Sequence, residues 1–96
     1  MRLDLFLKLS RLVSKRTLAK EFTKKGLVKV NGVIAKAAYD VTVGDIIEIK
    51  TFRRLSEVEV LKVPTKKQVS KQAAKALYLV RSDVNIEDDL LLDAES

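Results

Sequence analysis

Arg16, Lys20 and Lys24 recur every four residues, and residues four apart on an α-helix share a face. Three cations at that pitch form a ridge suited to phosphate groups, a task that needs charge rather than reactivity. Arg11, Lys15 and Arg16 cluster just ahead of it, where the start of a helix adds backbone N–H groups that also favour phosphate. With Arg2, Lys8 and Lys25, eight bases face only two acids, Asp4 and Glu21, before Gly26. A solvated helix face mixes the two signs more evenly, so these eight residues are the candidate RNA-binding set. Lys29 and Lys36 extend it past the following turn. Such a surface predicts phosphate binding and does not say which sequence or shape is read.

Other chemistries find little support. The chain has no histidine and no cysteine, so the usual general base, soft metal ligands and thiol nucleophile are missing. Glu57 and Glu59 stand at a strand spacing that points both one way, but nothing near them in sequence would split their pKa values as a hydrolytic pair requires. Ser10, Ser14, Ser56 and Ser70 lack a partner base, and three isolated glycines make no phosphate loop. No catalytic residue, metal ligand or cofactor is expected, and the chain reads as a non-enzyme.

The charge is unevenly spread. All 19 Lys and Arg lie between Arg2 and Arg81, among seven acids, giving that stretch a net +12. Residues 82–96 hold six acids and no base. So basic a body usually takes a polyanionic partner, either nucleic acid or an anionic membrane surface. Asp4 and Lys8 interrupt the N-terminal apolar run as a signal peptide would not, and no stretch approaches a membrane span of roughly 18 apolar residues. A cytoplasmic protein is expected.

The elements that position these residues follow from periodicity. Leu3, Phe6, Leu7, Leu9 or Leu12, and Val13 recur at three- and four-residue steps, an apolar helical stripe with Asp4 in its dipole-favoured first turn. Ser14 reads as the N-cap of a second helix with Leu18, Ala19 and Phe22 inward, ended by Gly26. The period then drops to two. Leu27 to Val30 is a short strand, Asn31-Gly32 a hairpin turn, and Val43-Gly44-Asp45 a turn before the strand Ile46 to Lys50. Arg53-Arg54 lies near a further reversal, and Glu57 to Val60 alternates before Pro64 ends the sheet. Thr65 to Gln68 reads as a capping box opening a third helix, with Val69, Ala73, Ala76, Leu77 and Val80 on one face. The expected class is α+β: two N-terminal helices on a small bent antiparallel sheet (residues 1–64), a C-terminal helix (65–81) and a flexible acidic tail (82–96). Phe6, Phe22, Tyr39, Phe52 and Tyr78 are scattered, the first two on core faces, so no clustered base-stacking platform is expected.

The string Arg2-Leu3-Asp4-x-Phe6-Leu7, Ser14-Lys15-Arg16-x-x-Ala19, Gly26-x-Val28-x-Val30-Asn31-Gly32 and Val43-Gly44-Asp45-x-Ile47 resembles the S-four-type (alpha-L) RNA-binding domain family. That likeness implies two helices on a bent sheet, with RNA held by the helix pair and the adjacent strand turn. Arg2-Leu3-Asp4, the run Ser10 to Glu21 and Thr65-Lys66-Lys67 are similar to the RqcP family of ribosome-associated quality control, a relative of the heat-shock S-four proteins. The resemblance implies binding to rRNA of large ribosomal subunits obstructed by peptidyl-tRNA, and help to an RqcH-type factor in C-terminal alanine tailing. Arg2 and Arg16 match the positions it implies for gripping rRNA and tRNA. The acidic end after Arg81 is longer than that pattern requires, and serves either solubility or competition with RNA for the basic face.

Three alternatives lie beside this reading. One is a heat-shock-type factor recycling large subunits that carry nascent chains. Another is a DNA-binding regulator, although a lysine-rich second helix suits phosphate better than base edges. A sulfur-carrier fold would share Val43-Gly44-Asp45, but it needs a C-terminal Gly-Gly where this chain ends Ala94-Glu95-Ser96.

Overall fold

A computed structural model describes residues 1–85. Two helices come first, α1 (Leu3–Leu9) and α2 (Arg16–Lys24), followed by strands β1 (Val28–Val30), β2 (Val33–Ile34), β3 (Ile46–Thr51) and β4 (Arg54–Val60). A short α3 (Lys71–Lys75) leads into β5 (Tyr78–Asn85). The strands form one antiparallel sheet in the order β2-β1-β3-β4-β5. In β4 opposite β5, Glu57 pairs with Ser82 but Val58 with Val80. Arg81 is thus a bulge, which bends and twists the sheet.

The two periodicities meet in one core. Leu3, Phe6 and Leu7 of α1 and Ala19 of α2 are buried against Val28, Val30, Ile47, Ile49, Val58 and Val60, the inward residues of three strands. Side chains alternate across a strand, so this burial sends Lys29, Glu48 and Glu57 to the outer face. The α2 face is Ala19 and Thr23, with Leu18 and Phe22 half-buried beside them.

The turns are the local devices that the spacing implied. Gly26 takes φ +73° just past α2, and Asn31 and Gly32 take φ 53° and 83° between β1 and β2. Such a pair of positive φ values matches the right-handed twist of the strands. Ser14 is not the cap of α2: Lys15 is, with no side-chain hydrogen bond, because helical geometry begins only at Arg16.

The C-terminal third departs from expectation. Residues 65–81 are not one helix; α3 covers five residues, capped by Ser70, whose hydroxyl accepts from the Ala73 N–H at 3.1 Å. The sheet does not end at Pro64, because Tyr78–Asn85 returns as β5. The three- and four-residue spacing of Val69 to Val80 fits a helix, but β4 presents an unpaired edge. Pairing that edge satisfies a row of backbone groups and overrides local propensity. Residues 82–85, expected in a flexible tail, therefore belong to β5. The rest of that acidic segment lies outside the described residues.

Candidate nucleic-acid interface

The site is seated by a carboxylate hub some distance away in sequence. Asp45 accepts hydrogen bonds from Asn31 Nδ2 (3.1 Å), the Tyr39 hydroxyl (2.9 Å) and the Thr42 N–H (3.0 Å). Asn31 Oδ1 in turn accepts from the Ile46 N–H at 2.9 Å. These bonds tie the Asn31-Gly32 turn to the loop between β2 and β3. That loop then receives the start of α1: the Leu3 N–H donates to Tyr39 O (2.8 Å) and the Asp4 N–H to Ala37 O (3.1 Å). Burial alone would raise the Asp45 carboxyl, but the Thr42, Asn31 and Tyr39 donors outweigh it and hold the pKa below its ordinary value. The Tyr39 hydroxyl is pushed up, chiefly by its bond to Asp45 and then by burial.

With α1 so held, Asp4 becomes the centre of the basic face. Its side chain is 0% exposed, while those of Arg2 and Arg16 are 50% and 42% exposed. Asp4 Oδ1 accepts from Arg2 Nε at 3.2 Å and from the Leu5 N–H at 2.8 Å. Asp4 Oδ2 accepts from Arg2 Nη2 and Arg16 Nε, each at 3.4 Å. Burial pushes the Asp4 carboxyl up, yet the Arg2 bond, the Leu5 N–H and the charges of Arg16 and Arg2 hold it below the ordinary range. One buried negative charge thus orients two guanidinium groups and leaves a surplus positive charge at the surface. The pair is set before any anion arrives, which lowers the entropy cost of gripping a phosphate. Asp4 read from sequence as a helix-dipole residue; its anchoring role needed Arg16, twelve residues away, to be folded beside it.

The other expected residues divide. Lys20 and Lys24 are exposed on α2 in line with Arg16, as the spacing requires. Lys15 is exposed at the helix start. Lys25 is exposed too, with Nζ 3.3 Å from Glu21 Oε1. Lys36 is exposed in the loop that seats α1, next to Ala37, whose carbonyl accepts from the Asp4 N–H. Lys29 does not join the helix ridge: it points from the outer sheet face, in register with Glu48 of β3. The alternation that buries Val28 and Val30 forces that position.

Lys8 and Arg11 line a groove of about 620 Å³ between the α1–α2 junction and the segment Gln68–Ser70. Arg11 adopts φ 62°, a left-handed conformation more usual for glycine after a helix. Its guanidinium donates to Val69 O at 3.4 Å, linking the junction to the C-terminal segment. Among the described residues no group of acids could hold a metal ion, and no helix is long and apolar enough to cross a membrane.

Comparison with known proteins fits this geometry. The S4 domain family matches residues 1–47. An RQC P-site tRNA stabilizing factor of Streptococcus pneumoniae is 40% identical, over 94% of this chain and 100% of its own. Its counterpart in Halalkalibacterium halodurans is 46% identical over 86% of this chain and 92% of its own. This chain belongs to the RQC P-site tRNA stabilizing factor family. Among solved structures, the family fold is shared by heat shock protein 15 of Vibrio cholerae, with TM-score 0.77 and 26% identity over 85% of this chain and 82% of that one. The S4 match contains α1, α2, the β1–β2 turn and the Asp45 hub, which are the parts that place Arg2 and Arg16.

Proposed function

We propose that this protein steadies the P-site tRNA on large ribosomal subunits during ribosome-associated quality control, without catalysing a reaction itself. The observation that carries the reading is the pair of half-exposed guanidinium groups, Arg2 and Arg16, fixed on the buried Asp4 carboxylate beside the Lys20–Lys24 ridge. Two oriented guanidiniums can each bind a phosphate through paired N–H groups, whereas the lysines add charge with less directionality. In this reading one end of the face meets rRNA and the other meets peptidyl-tRNA. The bound factor holds one tRNA position while an RqcH-type partner adds alanine to the stalled chain in the cytoplasm. The names of the relatives support the tRNA contact; the oriented charge supports a mechanism by binding alone.

The likeness to heat shock protein 15 supports a second reading, a recycling factor for subunits that carry nascent chains. Co-sedimentation with subunits loaded with peptidyl-tRNA or empty tests the first reading. Wild type is expected to prefer the loaded subunit. Arg16→Ala should lose that preference while keeping its fold by circular dichroism, because Arg2 still spans both Asp4 oxygens. Lys20→Ala/Lys24→Ala should lower the salt dependence of binding by about 0.7–0.9 per lost phosphate contact. Equal binding to loaded and empty subunits would defeat the tRNA reading. Preference for loaded subunits with no effect on alanine tailing would favour recycling. Equal affinity for duplex DNA would return the protein to the class of DNA regulators.

A further inference from the structure

Phe52 is 89% exposed, the most exposed large apolar side chain among the described residues. It stands with Arg53 in the two-residue turn between β3 and β4. Glycine, asparagine or aspartate would favour such a turn; phenylalanine does nothing for it and leaves apolar surface in water. The Arg53 guanidinium lies over the ring, 5.4 Å from its centre, within cation–π range. Lys50 is exposed two residues before Phe52, and Arg54 at the start of β4 is held by Asp83 in a bidentate pair at 2.6 and 2.7 Å. An exposed ring with a guanidinium over it and a lysine two residues away is matched to a base with its phosphate rather than to an apolar protein groove.

The strand ends beside the tip share a cavity with the start of the basic helix face. A cavity of about 350 Å³ is lined on one side by Arg11 and Leu12 of the α1–α2 junction and on the other by Thr51, Ser56, Tyr78 and the paired Arg54 and Asp83. A strand leaving the Arg11 groove can therefore run along the helix-facing side of β4 to the hairpin. Duplex RNA keeps its bases stacked on each other, whereas an unpaired nucleotide offers a free face. We propose that the β3–β4 tip is a second RNA contact, where Phe52 stacks on one unpaired base and Lys50 and Arg53 hold its phosphates. It is a single stacking residue, distinct from the multi-aromatic platforms of single-strand binders. The proposal rests on the RNA-binding reading above and adds to it a site specific for unpaired nucleotides.

The chain contains no tryptophan, so Phe52→Trp places a single fluorophore at the tip. Oligoadenylate is expected to quench it, and a blunt RNA duplex with the same number of phosphates is not. Phe52→Ala should weaken oligoadenylate binding at least about fivefold, the loss of one stacked base, and leave duplex binding unchanged. Oligoadenylate that binds by fluorescence anisotropy without quenching Phe52→Trp overturns the stacking site while sparing the RNA-binding reading. If neither RNA binds, both fall together. Unquenched tryptophan combined with loss of subunit co-sedimentation in Phe52→Ala would assign the ring to a protein surface and refute base stacking.

Discussion

Two arginine–aspartate clusters in this fold are built on opposite plans. At the tip, Arg54 meets Asp83 in a bidentate pair at 2.6 and 2.7 Å, with the side chains 65% and 35% exposed. At the start of α1, Arg2 and Arg16 meet Asp4 at longer distances, 3.2 to 3.4 Å, around a carboxylate with no exposure. The shorter pair is not the more consequential one. Water competes for Arg54 and Asp83 and screens their attraction, so an exposed pair contributes little. Asp4 has lost its water and depends on its donors, so removing them leaves a buried charge. Burial of one partner, more than contact length, decides which cluster the fold relies on.

The largest expected effect comes from breaking the buried cluster. Arg2→Ala/Arg16→Ala should cost about 2–3 kcal/mol in urea unfolding, after allowing for solvent around the half-exposed guanidiniums. Adding Asp4→Asn should recover most of that loss, because the stranded charge is gone. A double variant as stable as wild type would mean that the Leu5 N–H alone is enough for Asp4.

Acid sharpens the comparison with a smaller effect. The Asp4 and Asp45 carboxyls are held below their ordinary value of 3.8 in the fold, so folding favours their ionised forms. Their contribution is present above the unfolded value and is lost as pH falls from about 3.8 through the native values. Urea midpoints measured on stepwise acidification should fall below that point, and Asp4→Asn should flatten the fall. An acid slope unchanged in Asp4→Asn would remove Asp4 from this account.

The smallest effect is expected at the exposed pair. Arg54→Ala should change stability by about 0–1 kcal/mol, and added salt should erase the difference. A loss beyond about 2 kcal/mol would instead make the pair a clasp that holds β5 to the sheet.

Local rules carried the reading of the first fifty residues. Apolar spacing in α1 and α2, Gly26 and the Asn31-Gly32 turn each act within a few residues, so their signals survive in the one-dimensional string. The basic ridge was legible for the same reason, since Arg16, Lys20 and Lys24 need only a helix to align them. Lys29 stands apart from that ridge because charge alone does not say which sheet face a residue occupies. That is fixed by the burial of its neighbours Val28 and Val30. Beyond Pro64 the local signal pointed to a helix, and the winning interaction was with β4, some twenty residues earlier.

The sequence by itself determined the element order up to β4, the sign of the surface and the absence of histidine and cysteine chemistry. These depend on residue type and short spacing. Tertiary structure alone decided that Asp4 is buried between two arginines, that Asp45 seats the loop receiving α1, and that Tyr78–Asn85 closes the sheet. Each of these couples groups from separate segments, and its free energy exists only once folding has removed water from between them.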